Sequence, residues 1–218
     1  MATAKTAWDV LGVSREEAIT NLLTLFADGS PEQIQIGMEW YANAHDVGRV
    51  LNHRYERGLE QTIGTLAACS PQSPWLWSST DKRCNVYKAI QVLASATDSK
   101  PKDAWVTGAI WKKARRIAAG EYRHPMDAMG KNSHKVKWFY DSILTRGNGR
   151  TPCVDTHMMN AMMNGITTER QRQNIFSNAM RYGQCAEVIQ VVADTVGIPP
   201  QQMQAILWTI WRDANGKA

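Results

Sequence analysis

Ser133-His134-Lys135-Val136-Lys137-Trp138-Phe139-Tyr140 is followed by Arg146-Gly147-Asn148-Gly149-Arg150-Thr151-Pro152 and then by Val154-Asp155-Thr156-His157. The first run has the apolar spacing of a helix, predicted over 133–145. Two glycines and a proline then require a loop, because glycine enters backbone conformations closed to other residues and proline cannot continue a helix. Asp155 stands where a second helix, predicted over 155–164, must begin, and an aspartate there accepts the unpaired N–H groups of the first turn. A helix, a tight loop and an acid-capped helix form the unit from which the rest of the chain is read.

Helical periodicity continues on both sides, and hairpin signals are missing. Ser14 followed by Glu17 is a capping box, with Ala18, Ile19, Leu22, Leu23 and Phe26 on one face behind it. Gly29 closes that helix and Ser30-Pro31 opens the next, proline being well placed in a first turn. Leu59 to Cys69 reads as a short apolar helix ended by the two prolines of Ser70-Pro71-Gln72-Ser73-Pro74. Further helices are predicted over 80–96, 101–119, 168–182, 184–196 and 199–213. Pro101, Pro199 and Pro200 mark starts, and Gly120, Gly165 and Gly197 mark stops. Short connections between many helices predict an all-α protein forming a single body over 1–218 with a central cleft.

Charge is unevenly spread. Residues 100–150 hold twelve Lys and Arg against four Asp and Glu, while the whole chain carries only +5. A concentrated basic segment suits a polyanionic partner, nucleic acid first, although a solvated cationic face has the same composition. Trp111-Lys112-Lys113-Ala114-Arg115-Arg116 is its densest part and is expected to follow a phosphate backbone through Lys112, Lys113, Arg115 and Arg116. No apolar run reaches the ~20 residues that span a bilayer. Met1 to Thr6 contain one lysine and no apolar block, so no secretory signal and a cytoplasmic location are expected. Cys69, Cys84, Cys153 and Cys185 form no CxxC pair, and the five histidines show no ligand spacing. Free buried thiols and no metal are expected.

The order of a lysine-bearing helix, a tight loop and Val154-Asp155-Thr156-His157 resembles the helix-hairpin-helix DNA glycosylases of the endonuclease III class. Ala68-Cys69-Ser70-Pro71-Gln72-Ser73, followed by Asn85 and Lys88-Ala89, is similar to that family's Leu-Ser-Ala-Gln-Thr segment and the Asn opening its next helix. The resemblance covers roughly residues 60–165. It also extends to phage-type proteins with a Ser-Pro-Gln segment and a Lys-Val…Phe-Tyr helix. It implies a helix-hairpin-helix glycosylase fold and a base-flipping enzyme that hydrolyses an N-glycosidic bond, with Asp155 as the catalytic carboxylate. Lys137, or Lys135 in a register with a slightly longer loop, stands where the family places a nucleophilic lysine, and a surface contact with phosphate is the other role open to each. Gln72 stands where a wedge fills the hole left by the extruded base, or is a loop amide bonding nearby backbone. Where the family hairpin reads Leu-Pro-Gly-Val-Gly, this chain has Met129-Gly130-Lys131-Asn132-Ser133-His134-Lys135. Gly130, Lys131 and Ser133 are thus candidate phosphate contacts, with more of the work passing to lysines.

The chemistry suits these residue types. A sugar that loses its base becomes oxocarbenium-like, and a carboxylate beside it stabilises that charge and activates water or an amine. A lysine nucleophile would form a Schiff base and permit strand cleavage, giving lyase activity. Asp155 also has a purely structural explanation as a helix cap. Trp75, Trp77, Trp138 and Tyr140 are candidates for a pocket that holds the flipped base, although core packing must claim most of the nine tryptophans. The expected partner is double-stranded DNA, bound by a monomer that uses no cofactor. The target would be a damaged base in repair or a modified base of phage DNA in defence. The same fold could instead serve hypermodification of phage DNA bases, or bind DNA as a helical module without catalysis.

Overall fold

The computed structural model describes residues 5–71, 73–75 and 82–215. Among these residues all regular structure is helical. In chain order the elements are α1 (Ala7–Leu11), α2 (Arg15–Ala27), α3 (Pro31–Tyr55), α4 (Leu59–Ala68), α5 (Asn85–Ala94), α6 (Gly108–Ala118), α7 (Pro125–Ala128), α8 (His134–Leu144), α9 (Thr156–Met163), α10 (Glu169–Phe176), α11 (Ala179–Val196) and α12 (Pro200–Ala214). No described helix is long and apolar enough to cross a membrane.

The starts are set by local chemistry. Ser14 and Glu17 form the predicted reciprocal capping box, and Thr6 with Asp9 and Thr168 with Gln171 form two more. Pro31 and Pro200 occupy first turns, where the N–H they lack has no helical acceptor. Several boundaries differ from the reading of the sequence, and the helix predicted over 80–96 begins only at Asn85, where Cys84 accepts the Tyr87 N–H. Residues 101–106 are not helical, because Thr107 caps α6 by accepting the Ile110 N–H at 3.3 Å. The break expected near Gly183 falls instead at Asn178, whose side chain accepts the Arg181 N–H at 3.0 Å, and α11 runs straight through the glycine.

The chain divides into two compact units. The first is assembled from Met1–Ala42 and Asn132–Ala218; the second is the continuous stretch Asn43–Lys131. In the first unit α2 packs on α9, α11 and α12, and α1 packs on α10 and α11. Leu11, Leu22, Met158, Ile189, Val192 and Leu207 lie in its fully buried core. In the second unit α4 is central, packed against α5, α6 and α7. Gly64 permits this, since a Cβ there would lie 2.6 Å from Pro125 and 2.9 Å from Ile117.

Gly37 performs the same service in the first unit. A Cβ on it would sit 2.4 Å from the Cα of Ile206 and 2.7 Å from its backbone nitrogen. Backbone cannot swing aside as a side-chain tip can, so Gly37→Ala must separate α3 from α12. The expected loss is ~3 kcal/mol, read as a lower urea midpoint by circular dichroism. An unchanged midpoint would rule out this close crossing.

Candidate active site

Asp155 is the N-cap of α9, in extended backbone, and is half-buried. One carboxylate oxygen accepts the Met158 N–H at 3.0 Å, as the capping rule requires. The other accepts the indole Nε1–H of Trp208 at 3.1 Å. Both oxygens are therefore held, each by one donor, and a carboxylate has further lone pairs to offer. Trp208 lies on α12, 53 residues away in sequence. The guanidinium of Arg212, one turn on, stacks over the Trp208 ring at 4.3 Å. Burial lowers the pKa of Arg212, and the negative charge of Asp155 pulls it back up. Trp40 meets Trp208 at 5.8 Å between ring centroids and Phe139 at 5.9 Å, while His157 meets Trp208 edge-on at 6.2 Å. The carboxylate thus stands beside a cation and an aromatic cluster drawn from α3, α8, α9 and α12.

The residues before Asp155 are fixed from below. The Val154 N–H donates to the buried Tyr182 hydroxyl at 2.7 Å. The Cys153 thiol donates to the Lys135 carbonyl at 3.4 Å, and burial pushes that thiol up to about 12. Lys135 opposes this rise and Asp155 adds to it, so both charges lie within electrostatic reach of Cys153. Lys137, one turn from His134, helps burial lower the pKa of that imidazole. The first turn of α8 and the Asp155 loop are therefore neighbours. Behind them, Gln201 on α12 is completely buried and bonds at both ends of its amide. Its oxygen accepts from Thr145 Oγ1 at 2.7 Å and from the Gly149 N–H at 2.8 Å, and its nitrogen donates to Asp141 at 2.8 Å and to the Thr151 carbonyl at 3.1 Å. Gly149 carries no side chain because a Cβ would lie 2.5 Å from this amide.

Residues 4–215 match a family described as "Family of unknown function (DUF7178)". The chain belongs to the DUF7178 family. No curated protein and no solved structure matches it.

Two candidates in this DUF7178 member need correction. Arg115 is buried and cannot follow a DNA backbone: its Nη1 donates to the Val92 carbonyl at 3.2 Å, and its Nε lies 3.7 Å from Asp98. It belongs to the apolar stripe of Trp111, Ala114 and Ala118, and its charge serves the carbonyl end of α5. Tyr140 has no exposed surface and packs in the core, so it cannot face a flipped base. Trp138 is half-buried and packs against the first unit's core, and Trp75 is half-buried in the second unit. Gln72 and Trp77 lie outside the described residues.

The remaining basic candidates are accessible. Lys112 is exposed and Lys113 half-buried on α6. Arg116 is exposed but committed, paired with Glu121 at 2.6 Å and stacked on Tyr122 at 4.7 Å. Gly130 and Lys131 are exposed at the end of the second unit; Ser133 is half-buried and gives α8 no side-chain cap. Four cysteines are buried and free. Among the described residues no cluster of three His, Cys, Asp or Glu side chains could hold a metal. Sequence reading passed over Trp208, Arg212, Tyr182 and Gln201, which reach the Asp155 loop only through the packing of α11 and α12. Their local signal is no more than that of ordinary core and cap residues.

Proposed function

We propose that this chain is a DNA glycosylase of helix-hairpin-helix type that hydrolyses the N-glycosidic bond of a damaged or modified base, with Asp155 as its carboxylate. The observation that carries the reading is the setting of Asp155. It caps a helix, is held at both oxygens by fixed donors, and stands beside a lysine-bearing helix. The second donor, on α12, fixes the orientation of the carboxylate beyond what the cap alone does. In the reaction the glycosidic electron pair leaves with the base, which takes up a proton. The sugar carbon becomes cationic, and the Asp155 charge stabilises it while accepting a proton from the attacking water. Lys135 or Lys137 attacking in place of water would give a Schiff base and strand cleavage.

The decisive experiment incubates the protein with duplexes carrying single damaged or phage-type modified bases, and scores free base and alkali-labile sites. Release from at least one substrate is expected. Tight DNA binding with no release from any substrate would favour the non-catalytic reading, in which Asp155 is a cap and no more.

Binding has its own expected signature. Lys112, Lys113 and Lys131 would each displace counterions from the backbone. The Lys112→Gln, Lys113→Gln, Lys131→Gln triple variant should bind every duplex more weakly. It should also flatten the dependence of log affinity on log salt by about 0.9 for each phosphate no longer neutralised. Arg115→Gln should lower stability instead, because it withdraws a buried donor from Val92. Unchanged salt dependence in the triple variant would return these lysines to plain solvated surface.

A further inference from the structure

Lys88 is 8 % exposed on α5, in the second unit. Its ammonium donates to Ser73 Oγ at 2.6 Å, and among the described residues no carboxylate pairs with it. The Ser73 hydroxyl is already turned to the Cys69 carbonyl at 3.0 Å and the Pro71 carbonyl at 3.2 Å, so it serves Lys88 as an acceptor. Two ammonium hydrogens remain. The Cys69 thiol beside Lys88 does not supply a counter-charge, since burial pushes it up to about 12. One helical turn before Lys88, Asn85 is 1 % exposed, and neither its Nδ2 nor its Oδ1 has a hydrogen-bond partner. The buried Ser70 hydroxyl, in the turn closed by the Ser73 N–H on the Ser70 carbonyl, has none either.

Buried polar groups are nearly always satisfied, and a buried cation is costly without an anion. Here a buried cation with two hydrogens to spare, bonded to Ser73, stands one turn from an unpartnered amide on α5, and Ser73 in turn is bonded through its N–H to Ser70, whose hydroxyl is unpartnered. Ser70 and Ser73 are half-buried, less enclosed than Lys88 and Asn85. We propose that Ser70, Ser73 and the first turns of α5 form a binding site for a phosphate group. Lys88 supplies the charge, and Asn85 Nδ2 and Ser70 Oγ supply neutral donors. An oxyanion with several acceptor oxygens matches this donor-rich set, whereas a cation or a neutral apolar ligand does not. The inference does not depend on glycosylase activity, because it is read from binding alone.

The test titrates the full chain with inorganic phosphate by calorimetry and follows the melting temperature. The wild type should bind saturably and melt higher in phosphate. Lys88→Met keeps the length of the side chain without its charge, and should bind about tenfold or more weakly with no phosphate-dependent rise in melting. Ser70→Ala, outside the core, should weaken binding less, and serves if Lys88→Met does not fold. Duplex DNA separates the sources. Phosphate that competes with DNA, together with weakened DNA binding by Lys88→Met, assigns the site to a backbone phosphate. Phosphate bound without competition assigns it to a free anion. No saturation up to about 10 mM phosphate, equal binding of chloride, or equal phosphate binding by both variants would overturn the proposal.

Discussion

Asp155→Asn is expected to lower base release by about a hundredfold or more, the usual effect of removing a charge aimed at a developing transition state. Asparagine keeps an oxygen for the Met158 N–H and is itself a good N-cap, so α9 should still start in place. The second position differs. There the new amide N–H₂ would face the Trp208 Nε1–H, donor against donor. That mismatch should lower stability by ~1–2 kcal/mol, visible as a modest fall in urea midpoint. Adding Trp208→Phe to Asp155→Asn removes the opposing donor and should restore part of this loss without restoring activity. Full base release by a folded Asp155→Asn variant would end the catalytic assignment. Loss of activity with both stability changes in the stated order would tie the carboxylate to the chemistry and the indole to its placement.

Gln201→Leu should produce the largest loss of stability at any single polar side chain described above. The substitution preserves bulk but leaves the Gly149 N–H, the Thr151 carbonyl and an Asp141 oxygen without their partner inside the protein. These groups are partly buried, so each loses less than the ~1–3 kcal/mol of a fully buried one, and the total is about 3 kcal/mol, a large share of the roughly 5–15 kcal/mol that holds a typical domain together. Urea unfolding of the variant measures it. A shift under ~1 kcal/mol would mean that water replaces the amide and that the loop does not depend on it. Because the loop joins α8 to Asp155, any base release should fall along with stability in this variant.

The fold was legible wherever local chemistry decides. The Ser14 and Glu17 box, the Asp155 cap and the first-turn prolines could be read directly, since each acts within four residues. Pro101 misled because it permits a helix start without requiring one. Lys100 instead caps the Pro101 and Ala104 carbonyls of a loop, and Thr107 captures the helix. Gly183 misled because glycine in a helix is only mildly unfavourable, and Asn178 offers a better start nearby. The burial of Arg115 was available in principle, since positions 111, 114, 115 and 118 share one helical stripe, but its charge outweighed its position. Asp155 could be singled out from its neighbours in sequence. Trp208, Arg212 and Gln201 could not, because what gives them meaning is a contact across more than fifty residues.

The way the chain threads its two units has a consequence for its synthesis. The second unit is continuous and has all its parts once Lys131 has left the ribosome. The first unit begins earlier and finishes later. Its α2 packs on α9, α11 and α12, the Ala7 N–H donates to Gln184, and Asn21 donates to the Met162 carbonyl. None of these partners exists until the last third of the chain has been translated. The apolar faces of α1 and α2 therefore emerge before the second unit is made and are covered only after it is complete. Between their own synthesis and that of their partners, α1 and α2 stay open to a chaperone for longer than the helices of the second unit do.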